Sequence, residues 1–273
     1  MTGRFGAGGK VTLDHIYTQE DPRGYFGTLR DLDYVIPQLA KPQFARLIRE
    51  LHGAADQRPV TVVDLGCGYG VNSALLRCDA TMDELYRHYC GADPAMTRSA
   101  LLARDRSLVR ARTGATRTRF IGLDISGDAL AYACEAGFLD AAVQADLERD
   151  DPTPEQRTHL GAADLVISTG CIGYVSERTL LRIARAADTR LPWMAHTVLR
   201  MYSYEPVMSA LAAAGYETVS VGGLLRQRRF ASAEEQALVL ETLSELGVDP
   251  RGLETDGWMY AQLFVSRPGP AAS

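Results

Sequence analysis

Residues 62–70 read Val-Val-Asp-Leu-Gly-Cys-Gly-Tyr-Gly, with three glycines at every second position directly after a β-branched run. β-Branched residues favour a strand, and glycine lets the backbone turn sharply out of it and approach a ligand with no Cβ in the way. The stretch therefore predicts a strand ending in a loop that floors a nucleoside pocket. A dinucleotide fingerprint, G-x-G-x-x-G, would carry its third glycine one residue later. Here the spacing is Asp64-x-Gly66-x-Gly68-x-Gly70, with an acidic residue two before the first glycine. A glycine-rich strand-to-helix turn without a ligand is the plainer alternative.

Beyond this loop, short apolar runs alternate with helical patterns. TVVDL, FIGLD, AAVQAD, DLVIS, PWMAHTVLR, YETVSV and MYAQLFVS are strand candidates, and helices are predicted near 71–78, 127–136, 176–188, 204–214 and 233–246. Such alternation predicts an α/β, Rossmann-like fold: a mainly parallel seven-stranded sheet with helices on both faces, whose ligands bind beyond the carboxyl ends of the strands. Upstream, apolar residues recur at three and four from Asp31 to Leu51, broken by Pro37 and Pro42, so residues 1–54 read as a helical extension before an α/β domain over 55–273. Residues 79–118 are out of rhythm and form a helical insertion rich in arginine (Arg87, Arg98, Arg104, Arg106, Arg110, Arg112, Arg117). It is either an anion-binding cover or a solvated face.

Bulk properties narrow the function. The 273 residues are 46% hydrophobic, ordinary for a chain that buries a core. A formal net charge of −5 argues against nucleic acid, whose binding domains are basic so as to displace counterions from phosphate. Only Lys10 and Lys41 are lysines, so arginine carries nearly all the positive charge. No run of about 18 apolar residues suggests a membrane span, and MTGRFGAGGK has no apolar stretch suited to a secretory leader. Five scattered cysteines (Cys67, Cys78, Cys90, Cys134, Cys171) form no C-x-x-C pair, so neither a disulfide framework nor a metal site is expected. The expectation is a cytoplasmic protein acting on small molecules. The tail RPGPAAS is expected to fray.

The D-x-G-x-G-x-G stretch resembles motif I of the class I S-adenosylmethionine-dependent methyltransferases, and the resemblance extends over most of residues 55–267. It implies S-adenosylmethionine as cofactor and assigns Asp64, Gly66, Cys67, Gly68, Gly70 and Asn72 to its binding. FIGLDIS places Asp124, followed by Ile125, where the family holds the two ribose hydroxyls. Asp124 lies 54 residues beyond Gly70, against about 20 in related folds, and the insertion accounts for the excess. VQADLE offers Asp146 and Leu147 for the adenine. Each aspartate alone is also a common cap or turn former.

ADLVISTGCIGYV resembles motif IV, the loop facing the reactive methyl, with Ser168, Thr169 and Gly170 near the cofactor and Cys171 and Tyr174 near the reaction. It lacks the N-P-P-Y of base amino methylation and the acidic cluster of metal-assisted catechol methylation. A tyrosine face within about 6 Å of a sulfonium stabilises it by roughly 0.5–2 kcal/mol. His196 is the one histidine near strand ends, either a general base or a core residue of an apolar run. The stretch YTQEDPRGYFGTLRDLDYVIP stands where the resemblance implies a lid over the cofactor, with Tyr17, Tyr25, Tyr34 and Arg30 as candidates and Arg30 as a fork for the methionine carboxylate. The plainer alternative is that the tyrosines bury their rings and solvate their hydroxyls.

Two chemistries follow from the resemblance: methyl transfer to a small acceptor, or cyclisation of S-adenosylmethionine itself. The second rests on a likeness of DPRGYFGTLRDLDYVIP and STGCIGYV to bacterial natural-product enzymes that form azetidine-2-carboxylate or a cyclopropane amino acid and release methylthioadenosine. A non-catalytic S-adenosylmethionine-binding member of the fold is the third reading. Neither the acceptor nor the oligomeric state is legible.

Overall fold

Val60–Leu65 forms the first strand, β1, buried along its whole length as expected of a strand covered on both faces. The computed structural model describes residues 11, 13–54, 58–113, 118–187 and 190–269, so the expectations for MTGRFGAGGK, Arg117 and the last four residues of the tail lie outside the described residues. Strands β2 (Thr118–Asp124), β3 (Ala141–Gln144), β4 (Leu165–Thr169), β5 (Trp193–Leu199), β6 (Tyr216–Arg229) and β7 (Trp258–Pro268) complete one sheet in the order β3-β2-β1-β4-β5-β7-β6. The β1, β2, β3, β4 and β5 pairings are parallel, with Val62 opposite both Phe120 and Leu165. Strand β7 runs antiparallel between β5 and β6, pairing Ala195 with Val265 and Val219 with Val265. This is the Rossmann-like topology of class I methyltransferases. Its order reverses between β1 and β4, and the crevice of such a sheet opens at the carboxyl ends of those strands.

The helices predicted downstream are present within one or two residues at each end: α3 (Val71–Arg77), α6 (Gly127–Ala136), α8 (Glu177–Ala186), α9 (Glu205–Ala213) and α10 (Ala233–Glu245). A further short helix, α7 (Pro154–Gly161), is set by a Thr153/Gln156 capping box. The amino-terminal region differs more. Arg23–Asp31 is a helix, α1, and Ile36–Ala54 is one continuous helix, α2, with Pro42 inside it rather than a break. Ala40, Phe44, Leu47, Ile48 and Leu51 of α2 pack on Val60, Val62, Leu165, Ile167 and Ala195, and this burial outweighs the backbone hydrogen bond that proline forfeits. Helix α2 is thus part of the cover of the sheet.

The insertion is helical: α4 (Met82–Cys90) and α5 (Arg98–Arg112). Three of its arginines meet an acid or a carbonyl of the protein itself. Arg98 pairs with Glu135 at 2.8 Å, Arg112 with Glu84 at 2.8 Å, and Arg106 donates to the Glu135 carbonyl. Inside, fully buried Asp105 accepts from the Tyr132 hydroxyl (2.5 Å) and pairs with His88 (2.6 Å). No helix among the described residues is long and apolar enough to cross a membrane.

Candidate cofactor site

The loop after β1 leaves the strand with Gly66, Gly68 and Gly70 all at positive φ, +65°, +50° and +75°. At two of them the absent Cβ has a visible purpose. A Cβ on Gly66 would stand 2.7 Å from Cys171 Cβ, so the glycine loop packs directly on the loop after β4. One on Gly68 would stand 2.9 Å from the Tyr17 ring, so the amino-terminal segment lies on the glycine loop.

Asp64 is fully buried and accepts from Asn72 Nδ2 (2.9 Å) and Ser73 Oγ (3.1 Å), which fixes the first turn of α3 under the loop. Burial pushes its carboxyl up to about 7, outweighing the Asn72 and Ser73 hydrogen bonds. The native carboxyl then holds its proton where the unfolded chain, near 3.8, has released it. This contribution to stability is present at acid pH and is lost as pH rises toward about 7. Asp64→Asn is expected to flatten that part of the curve of melting temperature against pH; an unchanged slope would place the carboxyl's titration elsewhere.

At the end of β2, half-buried Asp124 accepts from the Gly68 amide (2.8 Å) through one oxygen and from the Ser126 amide (2.9 Å) through the other. A carboxylate has about four lone-pair sites, so both oxygens keep capacity for the paired hydroxyls of a ribose. Ile125 beside it is 70% exposed, an apolar side chain held out of the core at the carboxyl end of β2. Asp146 is exposed beyond β3 and accepts from the Glu148 amide (3.1 Å), while Leu147 is buried below. These neighbours make one ledge along the carboxyl ends of β1, β2 and β3.

Across the crevice, Thr169 donates to Asn72 Oδ1 (3.3 Å), and Gly170 (φ +78°) turns the chain out of β4. Ser168 is fully buried and bonds to His196 Nδ1 (2.7 Å). His196 is a core residue, not a presented base: it is fully buried, and burial drives its pKa down to about 3. Cys171 lies over Gly66 with Sγ 3.5 Å from the Leu65 carbonyl. Tyr174 is 44% exposed at the tip of the loop, and Tyr202 packs on Gly173 at its base.

The lid residues divide. Tyr17 lies on Gly68, edge-on to Tyr25 at 5.3 Å, and Tyr25 packs behind it against Phe26 and Tyr69. The segment is held from below: Tyr69 of the glycine loop donates to the Gln19 carbonyl (2.7 Å), and Ser126 donates to the Tyr17 carbonyl (2.6 Å). Its start is tied by the Val11 amide to Glu235 (2.7 Å), whose carboxylate also takes both ends of the Arg228 guanidinium (2.7 and 2.9 Å) in a buried pair. Tyr34 reaches inward, hydrogen-bonded to Thr169, its hydroxyl 3.6 Å from the place of a Cβ on Gly170. Arg30 does not join the loop. It is exposed on α1 and lines a separate cleft with Asp33 and Tyr34.

Sequence reasoning missed Gln227. It is 1% exposed, its Nε2 lies 3.2 Å from the place of a Cβ on Gly170, and its Oε1 has no partner among the described residues. Strand β6 carries it well past the YETVSV run, and only the fold brings it to motif IV. No group of three or more histidines, cysteines, aspartates or glutamates that could hold a metal occurs among the described residues.

No family model matches the sequence, and no curated protein matches it. Solved structures do. Magnesium protoporphyrin IX methyltransferase from Synechocystis PCC 6803, with bound S-adenosylmethionine, is 12% identical over 82% of this chain and 78% of that one, with a TM-score of 0.39. A TehB-like methyltransferase from Corynebacterium glutamicum is 14% identical over 84% and 100%, TM-score 0.39. The [4+2]-cyclase SpnF is 15% identical over 83% and 81%, TM-score 0.40. Likenesses this distant carry no argument about activity, and the fold rests on the strand order itself.

Proposed function

We propose that the chain is an S-adenosylmethionine-dependent transferase that moves a methyl group to a small acceptor. One observation carries the reading: the positive-φ glycine loop is bonded to Asp124 on one side and packed on Cys171 of motif IV on the other. The donor set fits the cofactor, because both Asp124 oxygens keep lone pairs for a ribose beside an exposed Ile125. Bound there, S-adenosylmethionine supplies a methyl carbon made electrophilic by a sulfonium leaving group.

The chain's own part is binding and alignment. Asp124 would hold the ribose, Ile125, Asp146 and Leu147 the adenine, and the glycine loop the chain between them. Tyr17, Tyr34 and Tyr174 would present rings to the cation. Burial holds the Tyr17 and Tyr34 phenols above their ordinary value, so they act as protonated hydrogen-bonding groups rather than as bases. With His196 neutral in the core, positioning of donor and acceptor does most of the work, which suffices for an in-line displacement.

The test of function is incubation with S-adenosylmethionine alone, followed by product identification. No turnover until an acceptor is added, and S-adenosylhomocysteine thereafter, is the expected result. Methylthioadenosine with a cyclic amino acid would establish the intramolecular cyclisation instead, and binding without any turnover a non-catalytic protein. The ribose assignment has its own check. Asp124→Ala is expected to weaken cofactor binding at least tenfold by calorimetry, since a hydrogen bond to a charged group is worth about 1.5–3 kcal/mol. Asp124→Asn, which retains an acceptor for Ser126, should fall between; parental affinity in both would remove Asp124 from the site.

A further inference from the structure

On the α1 side of the site lies an open cleft of about 650 Å³, within the range of about 300–1,000 Å³ usual for small-molecule sites. It is formed by the α1–α2 turn, α4 and the far ends of β6 and β7. The motifs of the cofactor site do not use it. Arg30, Arg87 and Arg226 face it, together with the rings of Tyr34, Tyr86 and Trp258. Two carboxylates also line it, but Asp33 is paired with Arg229 at 2.7 Å, leaving Asp83 alone against three guanidinium groups. The guanidinium carbons of Arg226 and Arg229 lie 4.8 and 4.4 Å from the centre of the Trp258 ring, cation–π contacts that hold the indole in the wall of the cleft.

We propose that this cleft binds the acceptor, and that the acceptor is a planar, unsaturated carboxylate. An arginine fork matches a carboxylate bidentately and stacks on flat π systems, which a lysine would not. The indole and the two phenol rings supply the apolar walls for the planar body. Arg226 and Gln227 are consecutive on β6 and so point to opposite faces of the strand, Arg226 to the cleft and Gln227 to Gly170, and it is Tyr34 that spans the two. Tyr34 lines the cleft while its hydroxyl approaches the same glycine. A molecule held there lies one side chain from motif IV. This substrate class rests on the methyltransferase reading.

The chain has two tryptophans, Trp193 and Trp258. In a Trp193→Phe background the remaining fluorescence reports the cleft directly, with no cofactor added. Titration with benzoate, 4-hydroxybenzoate and 4-hydroxycinnamate is expected to give saturable quenching. Arg226→Ala and Arg87→Ala should weaken it roughly tenfold, the worth of a charge-assisted hydrogen bond, while S-adenosylmethionine affinity by calorimetry stays parental. No saturable response to any of the three, an equal response to acetate or pyrophosphate, or undiminished binding in both arginine variants would overturn the proposal. Carboxylate binding by a chain that does not bind S-adenosylmethionine would overturn the acceptor role together with the cofactor reading.

Discussion

Glu235→Leu is expected to be among the most damaging single substitutions in the protein. Glu235 and Arg228 have side chains 0% and 2% exposed, and the carboxylate also accepts from the Val11 and Ala231 amides at 2.7 Å each. Removing one partner of such a pair leaves a guanidinium buried without a counter-charge, which costs about 3–5 kcal/mol. For a chain of this size that lowers Tm by roughly 6–20 °C. The double variant Arg228→Met, Glu235→Leu should recover most of the loss, since an apolar pair of similar volume replaces the buried ions without leaving one alone. It should not recover cofactor affinity in full, because Val11 has still lost its anchor. A Glu235→Leu protein that melts at the parental temperature would show that Arg228 finds water. Burial raises the Glu235 carboxyl, but Arg228 and the two amides outweigh it and set it below its ordinary value. The pair's stabilisation is therefore full at neutral pH and is lost in acid as the carboxylate takes up its proton.

Gly68→Val should abolish cofactor binding at a smaller cost in stability. A β-branched residue at φ +50° is strained by about 1–3 kcal/mol, and its Cβ meets the Tyr17 ring at 2.9 Å. Tyr17 must move, and with it the amino-terminal segment that Tyr69 and Ser126 hold over the glycine loop. Adding Tyr17→Ala separates the two effects: it should relieve part of the stability loss and restore no binding. Measurable S-adenosylmethionine binding in the double variant would mean that the ligand does not lie against Gly68.

What the sequence revealed depended on the range over which each feature is encoded. The strands were legible because β-branched runs such as Thr61–Val63 carry their own preference, and the glycine loop because its spacing is local. Helix α1 was not, since Gly24 and Gly27 are poor helix formers and Pro22 at its start offers no side-chain cap. Pro42 suggested a break that packing against β1 and β4 overrides. In the site, Asp124 and Asp146 were legible as strand ends. Tyr17 was legible only as part of an aromatic lid, because its contact with Gly68 spans 51 positions along the chain. Gln227 carried no local signal, since an amide in a polar stretch of strand looks like surface until β6 is seen to reach Gly170. Arg30 misled for the opposite reason: a charge near aromatics in sequence sits on the outward face of its helix.

The place of β7 bears on how the protein is made. Synthesis delivers the glycine loop, Asp124 and Asp146 early, yet β5 keeps an open edge until residues 258–268 slot between it and β6. The anchor for Val11 also emerges late, 224 positions after the residue it holds. A growing chain on the ribosome can therefore carry every motif of the site while its sheet is incomplete and its amino-terminal segment has nothing to grip. Long-range closure of this kind is slow and leaves a strand edge exposed meanwhile. A chain stalled before residue 258 would therefore expose the edge of β5, the kind of unpaired strand that chaperones recognise.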